Sequence, residues 1–346
     1  MKIRRLSLIK LILIQLNLIQ LNLIKPLISI LLISGFLTFT TQAAPTCNPL
    51  FFRDTIATEP LWADFTYLSS DALQGRKTGS KGSRKAQQYL QLAFNQIGVK
   101  AFHPDHRQPF RRTKTSSDFL GTNMVGWLPG STLADEYIVI AAHYDHLGRE
   151  GLKIFNGADD NASGVAALLA IARVIKAKPL RHSVIFVATD AEETGLYGAK
   201  AFLRQPPVAI KSIKYAINLD MIAQAGKKRR LYLAGGKAFK QLKDVIAQSV
   251  NQASLCLLAG HDSSGYSYDR KYRIDWARAS DHYAFTEQGI ANLFFSVGDH
   301  KYYHTERDTI ATINKEFYFA AVETVLTSLG LLDGMSEFAQ EVATAK

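Results

Sequence analysis

The stretch Tyr137-Ile138-Val139-Ile140-Ala141-Ala142-His143-Tyr144-Asp145 decides the fold. Its run of apolar residues has no polar face, so the strand it predicts must be covered on both sides, as in a sheet lying between helix layers. The run ends in a histidine and an acid, and ligand-bearing loops at strand ends are where open α/β sheets keep their chemistry. Asn123 to Leu128 before Pro129-Gly130 reads as a strand and turn, and Ser183 to Thr189, Tyr215 to Leu219 and Leu293 to Ser296 as further buried strands. Between them, Ala86, Tyr89, Leu90, Ala93, Phe94 and Ile97 share one helical face that Gly98 closes. Helical patterns also cover Ala162 to Lys176, Ala238 to Ala253 and Glu316 to Leu332. This alternation predicts an α/β fold: a three-layer α/β/α domain around a central mixed, largely parallel sheet.

The 346 residues carry a formal charge of +11. Lys2, Arg4, Arg5, Lys10 and Lys25 have no acidic counterpart near them, and a chain without these five carries +6. That excess, with no basic stripe interleaved with aromatics, speaks for solubility rather than nucleic-acid binding. Lys227-Lys228-Arg229-Arg230 reads as an exposed turn between strands. The basic start, the apolar run Pro26 to Phe39 and the small residues of Thr41-Gln42-Ala43-Ala44 read as a signal peptide over 1–44 for bacterial export, periplasmic or secreted. The competing reading is an uncleaved membrane anchor. Leu-Ile-Gln-Leu-Asn recurs within this segment, and Lys25-Pro26 interrupts the earlier uncharged run. The rest, 45–346, is expected to be one domain: a helical lead-in over 45–120 and a catalytic core over 121–335. Cys47 and Cys256 are the only cysteines. An oxidising compartment permits them to pair, and the sequence leaves the pairing open.

Five separated clusters carry oxygen and nitrogen ligands. His143 and Asp145, two apart in extended chain, point the same way, so Asp145 can orient a metal-binding imidazole while His146 points away. Asp159 and Asp160 precede a helix, where acids also serve as plain caps. Glu192 and Glu193 diverge from each other, so one can ligate metal while its neighbour faces water. Asp220 closes a buried strand, and an acid there needs a partner or a metal. His304 follows two tyrosines in a polar loop. Ser280-Asp281-His282 is open between substrate contact, support behind the ligands and a helix cap. His103, His106, His182, His261 and His300 have no matched carboxylate context and read as surface residues.

From the strand at Tyr137 through Asp308, the chain resembles the zinc-dependent M28 family of aminopeptidases. The resemblance is carried by His-x-Asp at 143, Gly-Ala-x-Asp-x-Ala-Ser-Gly at 157, Glu-Glu-x-Gly-Leu-x-Gly at 192, Asn-Leu-Asp-Met at 218, Ser-Asp-His at 280 and Tyr-His-Thr-x-x-Asp-Thr at 303. Leu68 to Gly79 looks like the lead-in of secreted bacterial members. The resemblance implies two zinc ions bridged by Asp160, one also held by His143 and Asp220, the other by Glu193 and His304. It further implies Glu192 as general base, Asp145 as the orienting acid, and peptide or protein N-termini as substrates. Asp281 and His282 are then candidates for substrate binding or for support behind the ligands. Zinc suits this role because it activates water and stabilises developing charge near neutral pH. The rivals are a zinc carboxypeptidase, an amide deacylase or a glutaminyl cyclase on a similar fold, and, in another class, a receptor-like ectodomain that has lost its metals. None of the ligand positions is missing. The first-residue preference and the oligomeric state are not legible in the sequence.

Overall fold

The computed structural model describes residues 47, 50–112 and 118–335; the segment read as an export signal, 1–44, lies outside them. In chain order the strands are β1 (Lys100–Ala101), β2 (Arg107–Arg112), β3 (Phe119–Leu128), β4 (Leu133–His143), β5 (Gly148–Glu150), β6 (Lys153–Phe155), β7 (His182–Thr189), β8 (Ile213–Leu219), β9 (Arg230–Ala234), β10 (Cys256–Ala259), β11 (Ser264–Tyr266), β12 (Arg273–Asp275) and β13 (Ala291–Ser296). The helices are α1 (Thr58–Leu68), α2 (Lys81–Ile97), α3 (Gly164–Ala177), α4 (Tyr197–Arg204), α5 (Lys243–Gln252), α6 (His282–Glu287) and α7 (Lys315–Asp333).

One mixed sheet runs β1-β3-β7-β4-β8-β13-β9-β10, with β2 also paired to β3. Its four central strands, β7-β4-β8-β13, are mutually parallel. The C-terminal ends of all four therefore meet at one edge of the sheet. β4 lies between β7, which follows it in sequence, and β8, which follows later, so the chain reverses its direction of travel across the sheet beside β4. Such a reversal opens a crevice at the strand ends.

Strand β4 accounts for the layering. Ile138, Ile140 and Ala142 enter one core with α1, α2, α3, α5 and α7, while Val139 and Ala141 enter a second core with α4 and α6. All five side chains are fully buried. At about 25 cal/mol per Å² of apolar surface, burial on both faces makes the centre of the sheet its most strongly held part.

The expected elements form, with shifted ends. The helix predicted from Ala162 begins at Gly164, because Ala158–Ser163 makes a wide irregular turn first. The helix predicted over Ala238 to Ala253 is regular only over Lys243–Gln252. The lead-in contains α1 and α2, then β1 and β2, which extend the sheet at the β3 edge. Cys47 and Cys256 form a disulfide, tying the segment ahead of α1 to the start of β10. Among the described residues no helix is long and apolar enough to cross a membrane.

Candidate metal centre

Each parallel strand delivers its part of the site within four residues of its end, except β13, whose contribution arrives eight residues later at His304. His143 is the last residue of β4 and Asp220 follows β8 directly. Glu192 and Glu193 follow β7 by a short bend, and Asp160 sits in the wide turn ahead of α3.

The side chains converge on Asp160. His143 Nε2 lies 3.4 Å from one Asp160 oxygen and 3.2 Å from Asp220 Oδ1. His304 Nε2 lies 3.2 Å from the other Asp160 oxygen and 3.1 Å from Glu193 Oε2. Asp160 thus presents one oxygen to each of two ligand groups. All five residues proposed as metal ligands are brought together.

His146 is a correction to the sequence reading, in which it pointed away. It is buried in the site, with Nδ1 2.6 Å from Glu193 Oε1 and 3.7 Å from Asp160 Oδ2. His146 lies three residues past the end of β4, where sheet pairing no longer fixes which way side chains face. The surface reading also fails for other histidines. His106 and His182 are buried, the latter bonded through Nδ1 to Asp333 at 2.8 Å. His300 bonds Asp159 at 3.1 Å, and His261 is stacked between two rings. Their partners come from distant segments and leave no local signal.

The loops are held by bonds to backbone. His143 Nδ1 faces the Asp145 carbonyl at 3.2 Å and its carboxylate at 3.7 Å. The same carboxylate accepts from the amides of Glu192 (3.1 Å) and Glu193 (3.4 Å), so Asp145 fixes two ligand loops together. Asp308 accepts from the amides of Asp159 and Asp160, each at 3.0 Å. Asp159 is a tether, accepting from Ala223 at 2.6 Å and Gln224 at 3.2 Å beyond Asp220. Asn161 donates to the Leu219 carbonyl at 2.8 Å and accepts from Met221 at 3.2 Å. Gly157 adopts φ +53°, and a Cβ there would lie 2.0 Å from the Asp160 carbonyl and 2.5 Å from His146. No other residue fits that position. The Asp160–Asn161 peptide bond is cis.

Beneath the site lies Arg76, which the sequence reading passed over. Fully buried, it donates to the carbonyls of Tyr144 (2.7 Å), Leu68 (2.6 Å), Asn156 (2.6 Å) and Gly157 (2.9 Å). Burial pulls the guanidinium down to about 10, against the pull of Asp160, Asp308, Asp145 and Glu193. In the sequence Arg76 stood only within the Leu68 to Gly79 stretch, with no role of its own. Asp281 is buried, accepts from Thr189 Oγ1 and is pushed up to about 7, chiefly by burial. His282 stacks on Phe294 with ring centroids 4.1 Å apart, behind the cleft.

Asp145, Asp160, Asp220, Glu192 and Glu193 crowd this edge, and burial together with their mutual charges shapes its titration. Burial would lower His143, but Asp220 and Glu192 hold it well above the usual imidazole range. Burial likewise opposes protonation of His304, yet Asp160 and Glu193 raise it to about 10. Glu192 is pushed well above the usual carboxylate range, by burial first and then by Asp220 and Glu193 against His143. Asp160 Oδ2, His304 Nε2 and His146 Nε2 are buried with no hydrogen-bond partner. Ligand atoms of His143, Asp160 and Asp220 lie within 4.8 Å of one another, as do those of His146, Asp160 and Glu193. Imidazole nitrogens and carboxylate oxygens converging in this way, with neither sulfur nor lysine among them, fit a divalent metal such as zinc. A cavity of about 310 Å³ opens beside the cluster, with Asp160, Glu192, Glu193, Asp220 and His304 on its wall.

The model of peptidase family M28 matches residues 123–329. This chain belongs to peptidase family M28. Among curated members' relatives, aminopeptidase YwaD of Bacillus subtilis (strain 168) is 28% identical over 215 residues, covering 59% of this chain and 42% of its own length. The M28 chain described here thus spans less than half of that relative. Among solved structures, BSAP, a zinc aminopeptidase from Bacillus subtilis, aligns with a TM-score of 0.62 at 16% identity, over 82% of this chain and 95% of that one. A glutaminyl cyclase from Porphyromonas gingivalis aligns with a TM-score of 0.64 at 20% identity, over 80% and 99%. At such identities the two structures share the fold.

Proposed function

We propose that this M28 protein is an exported aminopeptidase that removes the first residue of peptides with two zinc ions, and that 45–346 is one peptidase domain. The observation that carries this reading is the shared carboxylate: Asp160 offers one oxygen to His143 and Asp220, the other to Glu193 and His304. His143, Asp160 and Asp220 would hold one ion, and Asp160, Glu193 and His304 the other. His146 is assigned to orienting Glu193, because its Nδ1 is already engaged with that carboxylate at 2.6 Å. His304 is the more exposed of the two and lines the cavity a substrate must enter.

Zinc, when bound, supplies Lewis acidity that favours attack of water on a peptide carbonyl. Glu192 lines the same cavity but stands outside both ligand groups. Its raised affinity for a proton suits a group that takes one from the attacking water and gives it to the departing amine. Asp145 is a positioning residue, holding His143 and the amides of Glu192 and Glu193 in one arrangement.

The deciding experiment compares Glu192→Gln with Glu193→Gln for zinc content and aminopeptidase turnover. The first should keep both zincs while turnover falls by at least roughly 10²-fold, as expected for a positioned acid–base group. The second should lose zinc and activity together. Reversed behaviour would exchange the two roles, and unchanged turnover in both would remove the site from the chemistry. Cyclisation of glutaminyl peptides in place of hydrolysis would favour the rival reading.

A further inference from the structure

The cavity beside the ligands carries their acids on one side and an apolar wall on another, with Arg273, Ser296 and Asp299 also in its lining. The apolar wall comes from Met221, Ile274, Trp276, Ala279 and Phe294. Two of these are aromatic, and each has a histidine lying flat against it. His261 stacks on Trp276 with centroids 4.3 Å apart and planes 7° from parallel. His282 stacks on Phe294 at 4.1 Å, also at 7°. The two histidines come from separate segments, one after β10 and one at the start of α6.

The His261 stack is braced from behind. His261 is itself backed by Tyr232 of β9, 4.0 Å away and 20° from parallel, giving a Tyr232–His261–Trp276 pile. The space around the pile is cleared of side chains. A Cβ on Gly298 would lie 2.9 Å from His261 Cε1 and 3.5 Å from the Trp276 ring, and one on Gly265 would lie 2.9 Å from Trp276 Nε1. His261 adopts φ +62°, an uncommon conformation for a residue with a side chain, which the surrounding packing must hold. Burial lowers both imidazoles to about 4, so at neutral pH they are uncharged rings. As flat neutral rings they pack against indole and phenyl faces, where each offset-stacked aromatic pair gains energy beyond its buried area.

We infer that His261 and His282 are specificity-positioning residues, which brace Trp276 and Phe294 and so set the size of the first side chain this cavity admits. The inference rests on the aminopeptidase reading for its substrate, and on the two stacks for its mechanism. A peptide whose first carbonyl lies at the ligand cluster must place its first side chain in the adjoining cavity. Where that side chain lies against the apolar wall, the reach of the two aromatic rings decides how large it can be. Neither histidine touches the reacting atoms.

The test measures kcat/KM for His261→Ala and His261→Phe against substrates whose first residue runs through Ala, Leu, Phe and Trp. A pocket separates substrates differing by one methylene by roughly 10–200-fold, so freeing the indole should raise the Trp-to-Leu preference ratio of His261→Ala by at least about tenfold. His261→Phe restores a flat ring and should return the ratio to the wild-type value. His282→Ala should shift the size profile in the same direction through Phe294. Zinc content is followed in parallel as a check on folding. Variants that retain zinc and cleave the panel with an unchanged size profile would overturn the inference. Wild-type protein that cleaves none of the panel would instead sink the aminopeptidase reading. A second readout needs no turnover: with Trp62 and Trp127 replaced by Phe, acrylamide quenching of Trp276 should rise in His261→Ala and not in His261→Phe. Equal quenching in all three backgrounds would overturn the bracing itself.

Discussion

Replacing Arg76 by lysine keeps a cation beneath the metal centre but removes the planar fork that binds four carbonyls. In the folded chain the guanidinium satisfies Leu68, Tyr144, Asn156 and Gly157 at 2.6–2.9 Å, through all three of its nitrogens. A lysine ammonium has three donors on one nitrogen and cannot span acceptors arranged around a planar group. At least two of the four carbonyls, among them those reached by Nε and Nη2, should lose their partner. A buried polar group left unsatisfied costs about 1–3 kcal/mol, so two amount to roughly 2–6 kcal/mol. Set against the roughly 5–15 kcal/mol that holds a typical domain together, that is a large fraction. Urea unfolding of the zinc-free protein measures it, as a lower midpoint at unchanged slope. Zinc affinity should weaken as well, because Tyr144 adjoins His143 while Asn156 and Gly157 lead into the Asp160 turn. A variant with the wild-type midpoint and wild-type zinc affinity would refute the claim that this one cation organises both loops.

Three further outcomes are expected. His261 has a folded value of about 4 against roughly 6.5 unfolded, so the unfolded chain takes up the extra proton first. Its stabilising contribution is complete above about pH 6.5 and is lost as pH falls toward 4; over that window wild-type stability should fall relative to His261→Phe by roughly 3 kcal/mol in denaturant titrations. Asp308→Ala removes the acceptor from the buried amides of Asp159 and Asp160, at a cost of about 1–3 kcal/mol each, read as a lower unfolding midpoint and weaker zinc retention. Mass spectrometry of protein from its native host should give an N-terminus near Ala44; an intact Met1 on membrane-bound protein would favour the anchor.

What the sequence by itself determined is what repeats at short range. The run Tyr137 to Ala142 required a strand buried on both faces, and β4 is one. His143 and Asp220 were legible because each closes such a run, where an acid or imidazole has no packing role, whereas Asp160, Glu192, Glu193 and His304 lie in loops and stood out through the motifs around them. Strand β10 was missed and β9 was only implied by the turn ahead of it, since four and five residues carry too little periodicity to separate from loop. Only the tertiary structure could decide which groups face each other. His146 was misplaced because it lies past the end of β4, and alternation is dependable only within a paired strand. Arg76 gave no local sign of function because every one of its partners is a backbone carbonyl, and a carbonyl is invisible in a list of side chains. His261 and His282 took their meaning from Trp276 and Phe294, which the fold lays against them from other segments. Residue type and spacing state what a side chain can bind; the sheet order, by bringing four strand ends to one edge, settles what it meets.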